Sequence, residues 1–197
     1  MARVPHTDPA SLPDEYQVLE KKAESLPDEI TAEWWNAQST VQTFGNNPEL
    51  AETHVEANVS MWTKTELTPQ EVESVILAVG RELESEYEWH DHVTAAIERA
   101  GMEKEEIVAI GRKETDSLPD KQRALVEYTY EYVDRKGDVS DETHATLASY
   151  YDNKRIVGIA MLAGYYVFIY HAASALALDL DEEFVGWELE NYKDNPA

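Results

Sequence analysis

The chain has 197 residues, 43 % of them apolar, which suits a single domain with a real core. Its 40 acidic against 16 basic residues give a formal net charge of −24, which removes nucleic acid and anionic membrane surfaces from the expected partners, since both need clustered Lys and Arg. With no cysteine, disulfides, thiolate nucleophiles, Cys-ligated zinc and dithiol redox cycling are excluded.

Start and stop signals divide the chain into helices, and no run alternates as a strand would. The N-terminal MARVPHTDPASLPDEY lacks an apolar signal core, so a cytoplasmic protein is expected. SLPDEYQVLEKKAESL predicts a first helix over about Pro13 to Leu26, and PDEITAEWWNAQSTVQTFG a second, ended by Gly45. Asn47 and Pro48 form an N-cap and first-turn pair that opens PELAETHVEANVSMW. Thr68, Pro69 and Glu71 read as a capping box ahead of EVESVILAVGRELES. The next helix, from Ser85, closes near Gly101, and MEKEEIVAIGR follows. Ser117-Leu-Pro-Asp opens KQRALVEYTYEYVDRKG, Ser140 caps DETHATLASYY, and Asp152 or Asn153 caps a long apolar helix. The acidic tail beyond Asp179 holds Trp187 and reads as an arm or docking segment. The expectation is one all-α domain over residues 1–197, of about eight or nine helices with short connections.

From Ile156 to Leu178 the chain carries no formal charge, and its length permits a membrane span. Tyr165, Tyr166, Tyr170, His171 and Ser174 lie inside it, so a central buried helix of a soluble bundle is the preferred reading. The 19 aromatic residues (5 Trp, 11 Tyr, 3 Phe) argue that the chain folds despite its charge. An acidic, hydrated surface suits a salt-loaded cytoplasm, because at about 1 M salt the screening length falls to roughly 3 Å and self-repulsion fades. A halophilic origin is therefore expected.

The densest chemistry lies in SEYEWHDH, residues 85–92. On a helix Ser85, Glu88 and His92 share one stripe, and Glu88 and His92 are an i, i+4 pair close enough for a direct hydrogen bond. Tyr87 and Asp91 form a neighbouring stripe, while Trp89, Val93 and Ala96 face another way and look like core. Three readings fit the pair. It is a proton relay in which a carboxylate raises imidazole basicity, or in which a buried Glu88 acts as the acid. It is a solvated surface pair worth a few tenths of a kcal/mol. Or, with His54 or His171, it is part of a metal site, although the Glu-x-x-His spacing of di-metal bundles is absent. No G-x-S-x-G, phosphate loop or dinucleotide fingerprint occurs, and no cofactor is expected.

The stretch LTPQEVESVILAVGRELESEYEWHDHVTAAIERAGMEKEEIVAI resembles the carboxymuconolactone decarboxylase / alkylhydroperoxidase D-like family. NPELAETHVEANVSMW resembles the preceding family helix, and LASYYDNKRIVGIAMLAGYYVFIYHAASALAL the closing pair, so the likeness spans about residues 28–180, between an N-terminal arm and the acidic tail. Redox-active members carry a Glu followed twelve residues later by Cys-x-x-Cys-x-x-x-His. By that resemblance Glu73 takes the glutamate position, Ser85 and Glu88 replace the two cysteines, and His92 keeps the histidine. The resemblance implies a Glu73–Glu88–His92 proton relay with Ser85 as a hydrogen-bond donor. It implies a decarboxylase or isomerase acting on a small lactone or keto acid, without thiol peroxidase activity. It further implies a homo-oligomer, whether dimer, trimer or hexamer. His92 would be the general acid/base, and Tyr87, His54 and His171 are candidates for the pocket wall. Catalytically idle assembly or binding by the same fold, and Glu/His metal binding, are the alternatives.

Overall fold

The computed structural model describes residues 2–8, 39–178, 180 and 183–193. The helix expected at Pro13–Leu26 lies outside the described residues, as does the start of the second. Among the described residues there are eight α-helices and no strand: α1 (Ser39–Phe44), α2 (Pro48–Lys64), α3 (Pro69–Glu82), α4 (Glu86–Glu98), α5 (Lys104–Arg112), α6 (Asp120–Asp134), α7 (Asp141–Ala148) and α8 (Asn153–Leu176), with a 3₁₀ turn at Thr115–Ser117. The Cα packing separates two compact units, residues 1–64 with 175–179, and residues 65–174 with 180–197.

The first unit holds α1 and α2. Asn47 caps α2, its Oδ1 accepting from the Leu50 N–H at 3.3 Å. The N-terminal strand of chain is tied down by backbone bonds from Arg3 N–H to the Leu176 carbonyl (2.8 Å) and from Thr7 N–H to the Gln42 carbonyl (3.0 Å).

In the second unit α3 is the central element, and α4, α5 and α6 pack against it. Its sequence explains this position. The Thr68–Glu71 capping box closes in both directions, with Pro69 at the first helical position, which satisfies two of the orphan N–H groups at the helix start. The next nine residues, Val72 to Gly80, are all buried, so α3 is enclosed on every side. Ser140 caps α7 by accepting from the Thr143 N–H, and Asp152 caps α8 by accepting from the Arg155 N–H at 2.9 Å. The helix expected to open at Ser117 begins three residues later, because the 3₁₀ turn intervenes before Asp120.

Trp89, Val93 and Ala96 are fully buried in the core of this unit, with Leu77, Ile107 and Ile110. The tail docks here: Trp187 meets the Trp89 ring edge-on at 5.1 Å, and Trp89 Nε1–H donates to the Gly186 carbonyl at 3.1 Å. Gly111 makes the approach possible, since a Cβ there would stand 1.8 Å from the Trp187 carbonyl oxygen.

By length and composition α8 alone among the described residues could cross a membrane. One face of it is buried through Ile159, Leu162, Tyr166, Ile169 and Tyr170. The opposite face departs from the fully buried helix read from sequence: Val157, Met161 and Phe168 are each more than half exposed.

Candidate active site

Glu73 lies on α3, and Glu88 and His92 lie on α4. The chain between them turns through Glu84, whose φ of 52° is left-handed, and enters α4 at Ser85. Ser85 occupies the N-cap, but its side chain makes no capping bond. Its N–H instead donates to the Gly80 carbonyl at 2.9 Å, which fixes the start of α4 against the end of α3. Glu88 sits in the first turn and folds inward rather than back onto the cap.

The His92 ring is held across the two helices, its Nδ1–H donating to Glu73 Oε2 at 2.9 Å. The direct Glu88–His92 hydrogen bond expected from the i, i+4 spacing does not form. His92 Nε2 stands 3.9 Å from Glu88 Oε2, beyond hydrogen-bond reach. The spacing puts both side chains on one stripe, but the carboxylate on the neighbouring helix has captured the ring. Glu73 is therefore the orienting partner, and Glu88 faces the free ring nitrogen.

The three groups differ in access. Side-chain exposure is 16 % for His92, 5 % for Glu88 and 1 % for Glu73. Burial pushes the Glu88 pKa from 4.5 up to about 8; the His92 charge opposes the shift and Asp91 adds to it. Burial disfavours a charged His92 ring, yet the charge of Glu73 and its hydrogen bond outweigh this, and the ring's pKa rises above its usual 6.5. At neutral pH Glu88 is accordingly protonated, and the neighbouring Glu73 favours the charged form of the His92 ring. Glu88 Oε1 is buried with no hydrogen-bond partner, a costly arrangement for a polar atom.

Two tyrosines complete the surroundings. Tyr166 meets the His92 ring edge-on at 5.3 Å. Tyr170 donates to the Ile76 carbonyl at 2.7 Å, across the space left by Gly80, where a Cβ would lie 3.1 Å from the phenol oxygen. Burial and the nearby Glu88 push the Tyr170 phenol well above its usual 10, so it stays protonated. Tyr166 was read from sequence only as one of the polar residues interrupting the apolar helix, not as a site residue; its signal was its spacing of four from Tyr170.

Tyr87 is half-buried on α4, and His171 is exposed on α8. His54 belongs to the first unit, where it meets Phe44 edge-on at 4.9 Å and burial lowers its pKa to about 4. His90 faces away from His92: its Nδ1 accepts from the Val185 N–H at 3.1 Å, tying the tail to α4. Among the described residues no group of three or more His, Asp and Glu is arranged to hold a metal ion.

Residues 48–129 match the model of the carboxymuconolactone decarboxylase family, a span that includes all of Glu73, Ser85, Glu88 and His92. The fold is similar to the alkylhydroperoxidase AhpD core of an uncharacterized peroxidase-related protein from Ralstonia eutropha JMP134, with a TM-score of 0.70 at 17 % identity, over 95 % of this chain and 96 % of that one. It is also similar to a Cys-to-Ala variant of the debrominase Bmp8 in complex with 2,3,4-tribromopyrrole, with a TM-score of 0.68 at 15 % identity, over 95 % of this chain and 92 % of that one. At such identities the likeness is one of fold. A search among curated proteins gives no match. With a matching segment at residues 48–129, an all-helical fold and no thiol anywhere in the chain, this protein resembles a cysteine-free form of the carboxymuconolactone decarboxylase / alkylhydroperoxidase D-like family.

Proposed function

We propose that the chain is a proton-transfer enzyme of the decarboxylase or isomerase type, acting on a small lactone or keto acid and lacking thiol peroxidase activity. The observation that carries this reading is the buried Glu88, with an unpartnered Oε1 and a pKa near neutrality, set beside an imidazole that Glu73 orients. A general acid works best when its pKa lies near the operating pH. In a decarboxylation the C–CO₂⁻ bond breaks and its electron pair passes into an enolate. Glu88 O–H then delivers a proton to carbon, CO₂ leaves, and His92 reprotonates the Glu88 carboxylate from Nε2. His92, the most exposed of the three, recovers its proton from solvent. In an isomerisation the fraction of Glu88 that is ionised accepts a proton from the carbon beside a carbonyl, and the resulting Glu88 O–H returns it at another carbon. Peroxidase chemistry of the dithiol kind has no nucleophile here.

The test is deuterium incorporation and turnover in D₂O with a panel of small lactones and keto acids, followed by NMR. Glu88→Gln and His92→Ala should each lower the rate by about 10²-fold or more, the usual weight of a positioned acid or base. A folded His92→Ala variant with undiminished turnover would refute the role.

Assembly into a homo-oligomer and a salt-loaded cytoplasm belong to the same proposal. Support for assembly comes from the outward face of α8, with Val157 59 %, Met161 56 % and Phe168 55 % exposed on a stretch without formal charge. A surface of that kind lets copies carrying −24 charges meet without opposing carboxylates. The second reading, a catalytically idle assembly module, draws its support from the same face and from the near-complete burial of both carboxyl groups. It predicts no deuterium incorporation with any member of the panel.

A further inference from the structure

We infer that the site admits an uncharged carbonyl compound, such as a neutral lactone, ester or ketone, in preference to a carboxylate, and seats its carbonyl oxygen against Glu88. The inference rests on the proton-transfer reading and narrows it to the isomerase branch on a neutral lactone, ester or ketone, since a substrate without a carboxylate has no CO₂ to lose.

The first ground is the charge inventory. The charged groups that act on His92 are Glu73, Glu88 and Asp91, and those that act on Glu88 are His92 and Asp91. With Glu88 protonated at neutral pH, the His92 ring already answers to the carboxylates of Glu73 and Asp91. A substrate carboxylate would be a third negative charge on it, and among the described residues the ring is already bonded to Glu73. The second ground is the fate of the nearest arginine. Arg81, one turn ahead of α4, donates from Nε to the Gly111 carbonyl at 2.6 Å, and its guanidinium lies over the Trp187 ring at 4.8 Å. It is spent on joining α3 to α5 and the tail, and so does not serve as a carboxylate clamp. Lys113 is bonded to Glu82.

The third ground is the unpartnered atom. Glu88 Oε1 is buried and makes no hydrogen bond, so a ligand that bonds there removes an existing penalty. In its protonated form this carboxyl group offers one O–H donor, and the fitting complement is a neutral carbonyl oxygen. A ligand carboxylate in that place would add a negative charge beside Glu88, whose ionised form burial and Asp91 already disfavour. The α4 N-terminus favours an anion only weakly, and the first turn already carries Glu86 and Glu88.

The test uses the full chain at neutral pH in molar KCl, with the His92 side-chain signals followed by ¹H–¹⁵N NMR. The probes are a five-membered lactone, the same lactone bearing a ring carboxylate, and the methyl ester of that acid, which keeps the size and removes the charge. The lactone and the ester should bind at least about 10-fold more tightly than the acid, and Glu88→Leu should weaken lactone binding by about 10-fold, as expected for loss of one buried hydrogen bond. Circular dichroism confirms that the variant is folded. Binding of the acid as tight as that of the ester overturns the inference, and so does a failure of both neutral probes to perturb His92. Neutral probes that bind but take up no deuterium in D₂O leave the selectivity standing and refute the proton-transfer reading instead.

Discussion

The Glu88→Gln substitution isolates the consequence of burying a carboxyl group without a partner. In the folded chain the Glu88 pKa is raised from 4.5 to about 8. The unfolded chain therefore releases this proton at about pH 4.5, while the folded chain holds it to about pH 8. Between those values the folded state binds more protons, so stability falls as pH rises. The slope is about 1.4 kcal/mol per pH unit for one proton, and the accumulated cost at pH 7 is about 3 kcal/mol. Glutamine has nearly the same shape and does not ionise, so the variant lacks this cost. Urea unfolding of both proteins in molar KCl, at several values from about pH 5 to pH 8, reads the effect as the stability of Glu88→Gln minus that of the wild type. The difference should climb by several kcal/mol across the window, whatever constant offset the amide adds. Taking the difference cancels the other carboxylates. A difference that stays flat with pH would mean that Glu88 ionises normally, and the proposed acid would be lost with it.

Three further outcomes follow from the geometry. Glu73→Gln should lower the His92 pKa, read by NMR titration, and destabilise the fold by about 3–5 kcal/mol, the usual cost of removing one partner of a buried ion pair. Because the folded His92 pKa is raised, the stability this pair contributes is present below about pH 6.5 and lost as pH rises through the folded value; a variant whose histidine titrates as in the wild type contradicts the 2.9 Å bond. Gly111→Ala places a Cβ on the Trp187 carbonyl, so it should displace the tail, change tryptophan fluorescence and cost about 1–3 kcal/mol; an unchanged spectrum would show that the tail does not dock there. Raising KCl from about 0.1 M to 1 M shortens the screening length from about 10 Å to about 3 Å and should stabilise the protein, and equal unfolding midpoints in the two salts would count against the halophilic reading.

Local signals carried a large part of the architecture. Thr68 with Glu71, Ser140 and Asp152 cap helices where their types and spacings predicted, because a cap satisfies backbone groups within three residues of itself. Trp89, Val93 and Ala96 were legible as core for the same reason: helical periodicity alone places them on one face. The resemblance brought Glu73 into the candidate list, nineteen residues from the histidine it bonds.

What the sequence alone determined is therefore what depends on neighbours along the chain: the helical class, the capped boundaries, the apolar stripes and the strong negative charge. Tertiary structure alone decided which carboxylate holds His92, how far Glu88 is buried and hence its proton affinity, where Arg81 is committed, and that α8 leaves one face uncovered. These depend on how helices distant in sequence cross, and pairing and desolvation across such a crossing follow from position in space rather than from spacing along the chain.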